Sequence, residues 1–227
     1  MPSKLNSLLE AVSNGNPDEV KRCLNEGNAN FRDPADGVTL LARAVSGNHI
    51  EVVKLLLEKG ASMKVADNVG FVPIHRAAWS GTYEMVQLLL DHGADVNAVV
   101  DGHYVAAWRA PRDNASAGNS SAERKTPLIL AAMRGDVDLV ALLTANGADV
   151  DHRDGFNMAA IDHAALEGRA EVVDFLLERG SDANAARVLA AYGSDHNAKT
   201  VPQRESYNEI AKTLCAVWAP QCRVTVT

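Results

Sequence analysis

Five glycines restrict what this chain can become. Gly27, Gly60, Gly93, Gly147 and Gly180 follow one another at intervals of 33, 33, 54 and 33 residues. A self-similar period in this range marks an array of small units, none of which can bury its apolar face alone. Residues 70–97 show the unit most clearly. Gly70 and Pro73 open a short apolar segment, Gly81 interrupts it, a longer apolar segment follows, and Gly93 closes it. That order reads as helix, turn, helix and loop.

The segments repeat in composition as well as spacing. Thr126-Pro127-Leu128 with Ala131-Ala132, Pro73-Ile74-His75 with Ala77-Ala78, and Gly93-Ala94-Asp95-Val96-Asn97-Ala98 resemble the start and end of the ankyrin repeat, over nearly the whole chain. The departures are local: Val72 and Ala159 replace the opening Thr, and only His75 keeps the His. The resemblance implies an all-α solenoid of about five repeats plus a degenerate C-terminal capping repeat. Residues 1–33 are expected as an N-terminal cap, 34–66, 67–99, 121–153 and 154–186 as repeats, 101–123 as an insertion and 187–227 as the C-terminal cap.

One such array accounts for all 227 residues, and an aromatic share of 5% is low for a compact globular core. Small residues suit close helix contacts instead. The net charge of −7 argues against nonspecific nucleic-acid or anionic-membrane binding, which needs a basic field. No apolar run approaches the ~20 residues that span a bilayer, and residues 1–14 lack a signal-peptide core. Cys23, Cys215 and Cys222 are too few and too scattered for a disulfide framework or ordinary zinc spacing. A Cys215–Cys222 bridge stays open. The expectation is a cytoplasmic or nuclear protein with free thiols.

Within the first unit, Leu5, Leu8, Leu9 and Val12 form a helical stripe, and residues 18–25 supply a second helix. In the second unit, Gly37 allows a turn with positive φ and Thr39 caps the first helix. Its second helix, 49–59, is expected to bury Val52, Val53, Leu55, Leu56 and Leu57. His75 fills the family's structural histidine slot, where it is expected to hydrogen-bond the loop backbone. In the fifth unit Asn157 stands where others place the turn glycine, which left-handed backbone permits. His163 and Asp162 are neighbours on one helix and point to different faces, so they form no dyad. Residues 207–218 read as a capping helix with Ile210 and Trp218 on one face.

The insertion breaks the period. Asp101-Gly102 between Val99-Val100 and Tyr104-Val105 fits a hairpin, while residues 105–110 fit a turn of helix stopped by Pro111. Residues 114–122 read as polar loop. His103, Tyr104 and Trp108 in close succession favour a packed or ligand-contacting element over an inert surface loop.

A search for catalytic constellations finds none. There is no phosphate-cradling glycine loop, no nucleophile elbow and no histidine pair at metal spacing. No cofactor, metal or catalytic residue is expected. What remains is a surface. The resemblance places Val69, Phe71, Trp79 and Ser80 of the third unit at positions that face partners. In the later units it does the same for Lys125, Met133, Arg134, Phe156, Met158 and Leu166. Apolar residues at such variable sites mark an interaction patch, with Lys125, Arg109, Arg134 and Arg153 at its edge. The expected function is a noncatalytic scaffold that binds another protein through an apolar concave groove, with no nucleic-acid or membrane partner, as a monomer. The competing reading is a small-molecule site or enzyme between the concave face and the insertion, with His75, His103, Tyr104 or Trp108 lining it.

Overall fold

A computed structural model describes residues 4–67, 70–100, 124–181 and 210. The chain divides into two compact units, Met1–Pro127 and Leu128–Thr227. In the first, helices come in pairs: α1 (Lys4–Ser13) with α2 (Pro17–Cys23), α3 (Leu40–Ser46) with α4 (Ile50–Glu58), and α5 (Pro73–Ser80) with α6 (Tyr83–Asp91). The second pairs α7 (Pro127–Arg134), which begins at the boundary, with α8 (Val137–Ala145), and α9 (Ala160–Leu166) with α10 (Ala170–Glu178). Among the described residues the only β pairing is an isolated antiparallel bridge, Arg32 to Thr39.

Local chemistry explains where the helices start. The side chains of Asn16, Thr39, Thr82 and Asp136 each accept the backbone N–H three residues on, from Glu19, Ala42, Met85 and Leu139 at 3.0–3.4 Å. These N-caps satisfy donors that a helix leaves orphaned. Glu51, Glu84, Asp138 and Glu171 sit in the first turns of α4, α6, α8 and α10, where the helix dipole favours negative charge. The second helices end at Gly60, Gly93, Gly147 and Gly180, whose φ values of 78–86° carry the chain out of the helix through the left-handed region.

The first repeat departs from this pattern. Its second helix is Pro17–Cys23 rather than the expected 18–25, and Gly27 is not left-handed. Asn25 and Asn28 close the helix instead, each side chain accepting the other's backbone N–H at 3.1 and 2.7 Å. Two amides do there what one glycine does elsewhere.

The packing repeats with the sequence period. Leu56 and Leu89 in the first unit, and Leu143 and Leu176 in the second, occupy equivalent positions and are fully buried. Ala44, Ala77, Ala131 and Ala164 are likewise inaccessible on the first helices. In the first unit α3 contacts both α1 and α5, and α2 contacts α4. The buried alanines of α1, α3 and α5 carry only methyl side chains, which suits close backbone approach. Leu55 and Leu57, expected in the core, are only half-buried, because Val52, Val53 and Leu56 already fill the inward stripe of α4.

Successive repeats are also tied by polar contacts. In the first unit the His49 ring meets the Ser13 carbonyl at 3.1 Å, and Asn30 bridges the Gly60 carbonyl and Ser62 N–H. In the second unit Arg169, the counterpart of His49, donates to the Met133 carbonyl at 3.1 Å. Gly15 and Gly135, at φ 66° and 81°, leave the space that these rings and chains occupy. A Cβ on Gly15 would lie 2.3 Å from His49.

Candidate functional site

The finger loops are built around a buried aspartate. In the first unit Asp67 Oδ1 accepts the Phe71 N–H at 3.0 Å, and its other oxygen pairs with the Arg76 guanidinium, with Nε at 2.7 Å. In the second, Asp154 Oδ1 accepts the N–H groups of Phe156 and Met158 at 2.9 and 3.0 Å, and Oδ2 lies 2.7 Å from His163 Nε2. Arg43 joins the half-buried Asp33 and the exposed Asp36 at 2.8 and 2.7 Å. A base on the first helix thus holds the acid at the foot of its own loop, three times over. His163 does have an acidic partner, nine residues back rather than beside it.

Electrostatics follow from this geometry. Burial pushes the Asp154 carboxyl up, yet the hydrogen bonds from His163, Met158 and Phe156 outweigh it and leave Asp154 below the usual carboxylate range. Asp36 is also lowered, with burial opposed by the Val38 amide and Arg43.

His75 shows the other device. Its Nδ1 accepts the Val72 N–H at 3.3 Å, so Nε2 carries the proton and donates to the Ala98 carbonyl at 2.9 Å. Burial lowers its pKa to about 4 despite that carbonyl and the negative charge of Asp67. The ring is a structural bridge, as expected from its slot. Asp162 holds the equivalent position in the second unit, where Oδ2 accepts the Ala159 N–H at 2.8 Å.

The expected interaction residues divide by unit. In the first, Trp79 and Ser80 are exposed at the end of α5, and Lys125 is half-buried. Phe71 is a correction: it is only 9% exposed, and its ring centroid stands 5.6 Å from that of His75. Tethering of its N–H to Asp67 turns this ring inward, so it closes the loop and offers no surface anchor. Tyr83, at the start of α6, was not among the expected residues and is 50% exposed. Its signal was present in the sequence as an aromatic in the polar phase just after the Thr82 cap.

In the second unit Phe156 stands 52% exposed at the loop tip, while Met133, Arg134, Met158 and Leu166 are half-buried. The expected cationic edge is partly engaged. Arg134 lies 3.9 Å from Asp136, and Arg153 donates to the Asn157 carbonyl at 3.1 Å and lies 3.6 Å from Asp162. Val69, His103, Tyr104, Trp108 and Arg109 lie outside the described residues, as does the insertion at 101–123 with its hairpin and helix readings. Of the capping segment, Ile210 is described, helical and buried.

Among the described residues no group of three or more His, Cys, Asp or Glu side chains is arranged to hold a metal ion. No described helix is long and apolar enough to cross a membrane. The family model for ankyrin repeats in three copies matches residues 8–100 and 106–187, well over half of the chain. No curated protein matches it. Ankyrin repeats generally act as scaffolds for protein interaction, and the family is typically noncatalytic.

Proposed function

This chain belongs to the ankyrin-repeat family, an all-α repeat fold, and from that premise we propose that it is a noncatalytic scaffold that binds another protein through side chains at its loop tips and first-helix ends. The observation that carries the reading is the placement of the exposed large hydrophobics: Trp79, Tyr83 and Phe156. The same frame buries Leu56, Leu89, Leu143 and Leu176 completely. Trp and Tyr side chains that reach the surface of a well-packed frame are enriched among the anchors of protein interfaces.

Within this proposal Trp79 is the anchor of the first unit and Phe156 that of the second. Met133, Met158 and Leu166 supply apolar contact around Phe156, and Ser80 and Lys125 supply polar contact on the first unit. The protein acts as a monomer in the cytoplasm.

Affinity capture from native extract tests the reading, with the intact chain and a Trp79→Ala variant side by side. A protein held by the intact chain and lost by the variant supports it. If no protein is held, but a small molecule co-purifies and raises the melting temperature, the chain is a ligand-binding protein instead.

A further inference from the structure

Charge is unevenly spread along this chain. Residues 128–181 carry ten Asp and Glu against four Arg and no Lys, while the remaining residues carry nineteen acids against eighteen bases. Nearly all of the net charge of −7 therefore falls on the described part of the second unit. Much of it reaches water. Asp149 and Asp151 are exposed on the loop that continues to Phe156 and Met158, and Glu167 is exposed beside Leu166 at the end of α9.

The arginines do not reverse this sign at the surface. Seven of the ten acids are exposed, against two of the four arginines. Arg153 lies 3.6 Å from the buried Asp162, and Arg134 lies 3.9 Å from the half-buried Asp136. Of the exposed pair, Arg169 donates to the Met133 carbonyl and Arg179 lies over the Phe175 ring at 3.7 Å. The ends of the first helices show the same trend. Met133 and Arg134 end α7, and 33 residues later Leu166 and Glu167 stand at the end of α9, so the apolar residue is kept while the charge beside it changes sign.

Resting on the scaffold reading above, we propose that the partner segment docked at Phe156 is basic: a stretch of protein with an aromatic or aliphatic anchor flanked by Lys or Arg. The anchor meets Phe156, Met158 and Leu166 and supplies most of the affinity. The flanking cations meet the exposed acids, which speeds encounter and rejects partners of the wrong sign. The loop is already set for this. Asp154 fixes the Phe156 and Met158 amides at 2.9 and 3.0 Å, so less ordering is left for binding to supply. The same field disfavours other occupants. A second copy would bring its own acidic unit against this one, and nucleic acid or an anionic membrane would bring phosphate.

Peptide display tests the sign of the partner. A random peptide library is selected on the intact chain, with Phe156→Ala and Trp79→Ala as parallel controls. Peptides held by the intact chain and lost by Phe156→Ala are expected to be enriched in Lys and Arg around an apolar residue. One such peptide, synthesised and fluorescently labelled, should bind roughly tenfold more weakly at about 300 mM salt than at about 50 mM. Combining Asp151→Asn with Glu167→Gln should weaken it roughly threefold or more at the lower salt, with the melting temperature unchanged because both side chains are exposed. Should Phe156→Ala not fold, that double variant serves as the control in its place. Enrichment of acidic or uncharged peptides, full affinity in the double variant, or peptides lost only with Trp79→Ala would overturn the basic partner while leaving the scaffold reading in place. No enrichment on any form of the chain would overturn both.

Discussion

His75 Nε2 donates to the carbonyl of Ala98, 23 residues away and in the next loop, at 2.9 Å. One imidazole therefore caps its own helix through Val72 and fastens that helix to the loop that follows. Because both nitrogens are used and the ring is inaccessible, its neutral form is part of the fold.

Acid should therefore weaken the first unit through His75. The folded-state pKa of about 4 lies below the ordinary 6.5, so between those values the unfolded chain binds more protons than the folded one. The contribution is fully present above pH 6.5 and lost as pH falls through about 4, a change of about 3 kcal/mol. Urea unfolding of the intact protein and His75→Asn at about pH 7 and pH 4 checks this. The variant is less stable at pH 7, and the gap narrows toward pH 4. A constant gap contradicts the assignment.

Asp67 should depend on its arginine more than surface acids depend on theirs. Its side chain is 1% exposed, so Arg76→Met leaves a buried carboxylate without its guanidinium, at a cost of about 3–5 kcal/mol. Glu51 and Lys54 make a contact of similar length, 2.8 Å, but both are exposed, and Lys54→Ala should cost only a few tenths of a kcal/mol, on the order of 0.3. Denaturation midpoints of the two variants distinguish a structural tie from a solvated one. Equal losses would mean that burial does not set the energetics of these loops.

Leu89→Ala tests the repeat register. The residue is fully buried on α6, in phase with Leu56, Leu143 and Leu176, and its truncation should destabilise the protein by about 2–5 kcal/mol. Thermal unfolding that matches the intact chain would place Leu89 outside the core and break the alignment of the repeats.

The repeat frame was legible because its cause is local. Gly60, Gly93, Gly147 and Gly180 must adopt positive φ, and a residue with that freedom at a fixed period is visible in the sequence itself. Asn157, at φ 60°, was readable for the same reason. Gly27 had the spacing without the conformation, because the Asn25 and Asn28 side chains took over the helix end.

The site was less legible because it depends on where side chains turn after folding. Phe71 and Met158 sit at equivalent positions, yet Phe71 turns its ring toward His75, and Asp162 takes that histidine's place in the other unit. The tie from Asp154 to His163 was masked by Asp162, the acid adjacent in sequence. Its signal was comparative: Asp67 and Arg76 stand at the same separation of nine residues.

The central claim is that the frame holds Trp79 out for a protein partner without needing it for folding. The most direct measurement is the affinity of the captured partner for the intact chain and for Trp79→Ala, taken with the melting temperature of each. Trp79 is 36% exposed, so the account predicts a loss of about 2 kcal/mol or more in binding with the melting temperature nearly unchanged. Parallel loss of binding and stability, or full affinity in the variant, would contradict it.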